Sequence, residues 1–127
     1  MFNFWLTVRR TEPKPWNAVA VAGQLESPIP RVIMHTWRAN DVPPRVFQAW
    51  KELNPFWELK FFNDTNVEEF LNREFGQQHL NFFKSMAFGR YKSDFFRYCY
   101  LYKKGGVYAD IDMQPMVPIS SFLNPGV

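Results

Sequence analysis

Gly105-Gly106-Val107-Tyr108-Ala109-Asp110-Ile111-Asp112 carries more information about the fold than any other segment of the chain. A glycine pair opens a short β-prone run, and the run ends in two carboxylates two residues apart. In a strand, side chains at i and i+2 leave the same face. Asp110 and Asp112 are therefore expected to project together from a strand end, with Ile111 turned the other way into a core. Two co-directed carboxylates with room for water and phosphate oxygens suit a hard divalent cation, Mn²⁺ or Mg²⁺. Such a metal commonly grips a diphosphate. A bare D-x-D also arises by chance as two unrelated acids at a solvated strand end, so the flanking residues decide between the two.

Upstream runs Arg90-Tyr91-Lys92-Ser93-Asp94-Phe95-Phe96-Arg97-Tyr98-Cys99-Tyr100-Leu101-Tyr102-Lys103-Lys104. Phe95, Tyr98, Leu101 and Tyr102 recur at helical spacing, which makes Tyr98 and Leu101 expected core residues. Lys103 and Lys104 suit the negative end of a helix dipole, and Gly105 supplies the left-handed stop. Asp94 and Arg97 are i,i+3 neighbours on one face. They form either an ordinary surface ion pair or part of one pocket with Tyr108, Asp110 and Asp112.

The whole run, S-D-x-x-R-Y-x-x-L-Y-x-x-G-G-x-Y-x-D-x-D, resembles the motif of DXD-containing sugar-nucleotide glycosyltransferases. It is most similar to glycosyltransferase family 32, with its initiating and inositol-phosphoceramide mannosyltransferases. Two earlier blocks add to the resemblance. Ile29-Pro30-Arg31-Val32-Ile33-Met34-His35-Thr36-Trp37-Arg38 is similar to the family's opening strand, and Asn54-Pro55-Phe56-Trp57-Glu58 to the element before its second strand. Three blocks in the right order are more specific than any one.

The resemblance implies a Rossmann-like nucleotide-sugar-binding half of a GT-A type domain. It implies a retaining, metal-dependent transfer of a hexose, mannosyl among the types, from a nucleotide-diphosphate sugar to a glycan or glycolipid acceptor. Asp112 is then the direct ligand of Mn²⁺ or Mg²⁺. Asp110 holds ribose or sugar hydroxyls and the metal's waters, and these two acids are the catalytic pair. Asp94 and Arg97 meet donor-sugar hydroxyls, and Tyr108 lies near ribose and sugar. Thr36 and Trp37 complete the donor-binding set. The alternative is a non-catalytic nucleotide-sugar-binding remnant, or a half-domain that needs a partner chain.

The order of elements supports the same class independently of the resemblance. Arg31 to Thr36 reads as a strand, Pro43-Pro44 as a helix start, and Phe47, Trp50 and Leu53 as that helix's apolar face, closed by Asn54-Pro55. Glu58 to Phe62 is a second strand. Thr65-x-x-Glu68 reads as a capping box opening a helix with Val67, Phe70 and Leu71 inward. A helical region from Leu80 to Lys104 breaks near Phe88-Gly89, and Val107 to Ile111 is the third strand. The order β-α-β-α-α-β predicts an α/β fold with a mainly parallel sheet. Ligands then sit beyond the carboxyl ends of the strands, where His35-Thr36-Trp37, Asn63-Asp64 and the two acids fall. Trp37 reads equally as a base-stacking face and as a rim aromatic, whereas His35 reads as a satisfied core histidine. Arg90 and Lys92 read as a solvated face.

Length, 127 residues, bounds the chain to one domain. Residues 1–27, with Pro13, Pro15 and Gly23, show little periodicity and are expected to be an irregular leader. Residues 28–127 are expected to be the donor-binding domain, ending before the acceptor half seen in the relatives it resembles. A net charge of +3 without dense Lys/Arg clusters argues against nucleic acid. Cys99 is the lone cysteine, so no intrachain disulfide forms, and a buried inert thiol is expected. No apolar run reaches the roughly 20 residues of a membrane span, and the order of charge and apolar residues at the start is wrong for a signal peptide. A cytoplasmic place is expected, or a secretory-membrane one if the chain is a fragment. Membrane contact through the first residues stays open, as does the oligomeric state.

Overall fold

The computed structural model describes residues 4–7 and 29–123. Four strands and four helices follow in the order β1 (Phe4–Thr7), β2 (Val32–Thr36), α1 (Pro44–Leu53), β3 (Glu58–Phe62), α2 (Asp64–Glu74), α3 (Gln77–Ser85), α4 (Gly89–Lys104) and β4 (Gly106–Ala109). The sheet order is β1-β4-β2-β3. β2 runs parallel to both of its neighbours, with Ile33 opposite Leu59 on one side and opposite Val107 on the other.

Two-residue alternation divides the core between the faces of this sheet. Ile33, Val107 and Ala109 join Trp50, Trp57, Met113 and Ile119 on one face. Met34 and Tyr108 join Val67, Phe70, Leu71, Phe83, Phe96, Tyr100 and Leu101 on the other. Strands covered on both faces are the expected state of a parallel sheet.

Local chemistry sets the element ends. Pro44 opens α1 at a position where the missing N–H costs nothing. Asn54 closes it and locks the chain around it: Nδ2 donates to Trp50 O at 2.9 Å, while Oδ1 accepts from the Ile119 N–H at 2.8 Å. Cys99 is buried, and desolvation pushes its thiol up to about 11, so it is inert as expected.

Four readings of the sequence need correction. The leader contains a strand: Phe4–Thr7 pairs antiparallel with β4, Trp5 opposite Tyr108. The remainder of residues 1–27 and the last four residues lie outside the described ones. The capping box of α2 is Asn63 with Asn66, each side chain accepting from the other's backbone N–H, and Thr65 and Glu68 play no part in it. The inward face of α4 carries Phe96, Arg97, Cys99, Tyr100 and Leu101, whereas Tyr98 and Tyr102 are exposed. Aromatics occupy both sides of this helix, so a 3.6-residue stripe can be drawn through either. Finally, β4 stops at Ala109, and Asp110 begins a turn closed by a hydrogen bond from the Met113 N–H to its carbonyl at 3.0 Å. The alternation argument therefore does not reach Ile111.

Candidate functional site

A cavity of about 480 Å³ opens beyond the carboxyl ends of β2 and β4, large enough for a small-molecule ligand. The sheet positions its two sides. Gly105 and Gly106 take positive φ (73° and 112°) and turn α4 directly into β4. Gly106 packs so closely on β2 that a Cβ would meet the Val32 carbonyl oxygen at 2.9 Å. That contact seats the start of β4 against β2, three residues before Ala109 and the acids that follow it.

Of the residues picked out in the sequence, Thr36, Trp37, Asp94, Tyr108, Asp110 and Asp112 line this cavity together. Arg97 lies just behind them, buried. It pairs with Asp94 at 2.5 Å and reaches Asp110 at 3.9 Å. The pair is no surface decoration, because the Arg97 side chain is only 5% exposed. Tyr108 is buried against the Arg97 guanidinium, 5.4 Å from its ring, and hydrogen-bonds to Asp110. Burial first, then the Asp110 charge, raises the Tyr108 hydroxyl well above its ordinary range, so it stays protonated. Ile111 lines the cavity beside the two acids instead of entering the core, a consequence of the turn.

Across the cavity, Thr36 Oγ1 donates to Phe62 O at 2.9 Å, and the Trp37 N–H donates to the same carbonyl at 3.2 Å. The Trp37 indole N–H donates to Asp41 Oδ1 at 2.9 Å, which fixes a ring that is 38% exposed. The Arg38 guanidinium lies 5.4 Å from that ring. His35 does not reach the cavity. It is fully buried between Phe47 and Trp50, and Nδ1 donates to Ala109 O at 2.9 Å. Desolvation lowers its pKa to about 4, so it is a neutral core histidine, but not the fully satisfied one expected, since its Nε2 is buried without a hydrogen-bond partner among the described residues.

Sequence reasoning missed part of the cavity wall. Arg38, Arg90, Lys92 and Ser93 line it without having been picked out as ligand-facing, whereas Asp64, placed by the sequence at the carboxyl end of the second strand, lines it as expected. Arg90 and Lys92 are thus not merely a solvated face. Lys92 Nζ stands 3.7 Å from Asp64 Oδ2 and 5.0 Å from the Phe83 ring. One signal was available: Arg90, Asp94 and Arg97 fall at i, i+4 and i+7, a single helical face. Asp64 followed from its place at a strand's carboxyl end, whereas no pattern in the sequence linked Arg38 to that face.

The acids suit a hard divalent cation of the Mn²⁺ or Mg²⁺ kind. Among the described residues no cluster of three or more His, Cys, Asp or Glu stands ready to hold a metal alone. One or two carboxylates completed by phosphate oxygens and water is, however, the ordinary way Mg²⁺ is held. Asp112 is exposed and Asp110 already has Arg97 as a partner, so Asp112 is the carboxylate better placed to ligate. Among the described residues, no helix is long and apolar enough to cross a membrane.

Comparison with known proteins agrees with this geometry. A family model described as the glycosyltransferase sugar-binding region containing DXD motif matches residues 43–125. The inositol phosphoceramide mannosyltransferase 3 of Schizosaccharomyces pombe is 32% identical over 88 residues, 67% of this chain and 24% of that protein. Inositol phosphoceramide mannosyltransferase 1 of the same yeast is 28% identical over 133 residues, 94% of this chain and 41% of that protein. The initiation-specific alpha-1,6-mannosyltransferase of Saccharomyces cerevisiae is 28% identical, over 76% of this chain and 22% of its own length. The chain thus spans less than half the length of these curated relatives. No solved structure matches it comparably. With its D-x-D pair at the mouth of a cavity above a parallel sheet, and a family model covering most of it, the chain belongs to the DXD-containing glycosyltransferases, the group that includes family 32.

Proposed function

We propose that this chain binds the donor of a retaining, metal-dependent hexosyltransferase, with a nucleotide-diphosphate sugar in the cavity and a glycan or glycolipid as acceptor. One observation carries the reading. A single cavity brings together Asp94, Asp110 and Asp112, the buried Arg97 that pairs with Asp94 behind them, and the fixed indole of Trp37. Trp37 offers a flat face to a nucleobase. Thr36 holds the backbone that positions it. Asp94 and Arg97 orient sugar hydroxyls, and Tyr108, held protonated, keeps Asp110 in place. The mannosyltransferase names of the relatives favour a mannosyl donor.

Asp112, with Asp110 beside it, would hold a divalent cation, which would supply Lewis-acid stabilisation of the diphosphate leaving group. The residues do the rest by charge and position. Arg97 is preorganised by two carboxylates at low solvent exposure, where its field acts most strongly on charge developing nearby. Lys92 and Arg90 line the same cavity and offset the negative charge of a diphosphate.

Isothermal calorimetry with a nucleoside diphosphate tests the reading. Affinity should rise at least tenfold when Mn²⁺ is present, because metal and phosphates supply ligands to each other. Equal affinity with and without Mn²⁺ would remove the metal from the site.

A further inference from the structure

Phe88 occupies the N-cap of α4, a position that a phenylalanine serves poorly. Its backbone is extended (φ −112°, ψ 135°), and its side chain makes no capping bond. Ser, Thr, Asp or Asn would accept a hydrogen bond there from a backbone N–H that otherwise lacks a helical partner. The ring is instead 62% exposed. A residue that breaks a local rule with no local gain points to a role outside the helix.

Its neighbours share its character. The Tyr91 ring meets Phe88 edge-on at 5.8 Å and is about half exposed, and Phe82, in the last turn of α3, is more exposed still. The Arg90 guanidinium lies 4.9 Å from the Tyr91 ring, and Lys84 is exposed on α3. From Phe75 through Ser93 the sequence holds no Asp or Glu, while Lys84, Arg90 and Lys92 fall within that run. The same segment forms one edge of the donor cavity, through Gly89, Arg90, Lys92 and Ser93.

Lys92 is engaged by Asp64, but Lys84 and Arg90 are exposed beside the aromatic rings, and rings among such cations form a surface complementary to an anionic bilayer. The rings settle at headgroup level, and the cations meet lipid phosphates. We propose that the corner between α3 and α4 docks on an anionic phospholipid surface, with Phe88 as the inserting side chain, and so holds the cavity mouth at the headgroups. The consequence that the acceptor is presented from the bilayer rests on the donor-binding reading above. The docking itself does not.

Co-sedimentation with vesicles tests it, using phosphatidylcholine alone and phosphatidylcholine mixed four to one with phosphatidylserine. Each cation near an anionic surface is worth roughly fivefold in partitioning, so binding to the anionic vesicles should be at least tenfold tighter and should weaken as salt rises. Phe88→Ser separates docking from folding. It supplies the missing cap, so the melting temperature should hold or rise, while vesicle binding should fall roughly tenfold with the lost apolar surface. Lys84→Glu should weaken binding to the anionic vesicles alone. Absence of binding by the unaltered chain, equal binding to both compositions, or a Phe88→Ser protein that binds undiminished would each overturn the proposal. Mn²⁺-dependent binding of a nucleoside diphosphate, read on the same samples, keeps the two readings apart. Vesicle binding without nucleotide binding sinks the donor site only, and the reverse result sinks the docking only.

Discussion

Asp110 and Asp112 stand two residues apart in different surroundings. Asp110 is mostly covered, bonded to Tyr108 and 3.9 Å from the buried Arg97, whereas Asp112 is exposed in the turn. Asp112→Asn should therefore leave the melting temperature of the metal-free chain equal or slightly raised, since a repulsive charge goes, and should abolish the further rise given by Mn²⁺ with a nucleoside diphosphate. Asp110→Asn should instead cost about 1–3 kcal/mol of stability, because a buried guanidinium loses a charged partner. Thermal melts of both variants, with and without metal and nucleotide, check this pair; equal behaviour would contradict the asymmetry. His35 gives a second test at this scale. Its folded pKa is lowered by burial from 6.5 to about 4. Above pH 6.5 both states hold the imidazole neutral. Below it the unfolded chain takes up the proton first, so stability falls as pH drops through the window from 6.5 to about 4. The full loss is on the order of 3 kcal/mol. Urea midpoints across that window should fall for the unaltered chain, and this component should vanish in His35→Asn, whose overall stability is lower.

At the scale of elements, the junction between α4 and β4 carries the site. Gly106 has φ +112°, and its missing Cβ is what lets β4 lie against the Val32 carbonyl. Gly106→Ala combines a strained backbone with a backbone clash, at a cost of about 2–4 kcal/mol. The shift should also propagate down a four-residue strand to the acids at its end. The melting temperature and the Mn²⁺-dependent nucleotide affinity should therefore fall together. A lower melting temperature with full affinity would show that the acids are held by their own turn and not by β4. The helices were the legible part of the fold: proline at the start of α1, the apolar positions of α2, and the break before Gly89 all stand in the sequence as chemistry with fixed geometric meaning. The face of α4 was not legible, because Tyr98 and Tyr102 satisfy the same periodicity as Tyr100 and Leu101.

For the molecule as a whole, β4 is an internal strand only because β1 covers it. Removal of residues 1–7 would leave the backbone of Gly106–Ala109 unpaired along one edge, a template for pairing with another chain. The truncated protein should melt several degrees lower and should associate at concentrations where the full chain does not, as read by sedimentation velocity. Unchanged melting and unchanged sedimentation would mean that β1 contributes nothing to the sheet. β1 escaped the sequence reading because antiparallel pairing across about a hundred residues leaves no local pattern; short runs such as Phe4–Thr7 read equally well as a tail.

Read alone, the chain's residues settled the class of fold and which side of the sheet would gather the polar motifs. Alternating β and α segments admit few topologies, and their strand ends gather the polar motifs on one side of the sheet. The tertiary structure decided which of those residues meet, and in what state. It buried Arg97 and left Tyr98 outside, it ended β4 before the acids and so turned Ile111 into the cavity wall, and it brought Lys92 and Arg38 to the same opening. Periodicity records only that a residue is apolar and how far it lies from the next. Burial, ion pairing and the last residue of a strand depend on neighbours distant in the chain, and no local pattern encodes them.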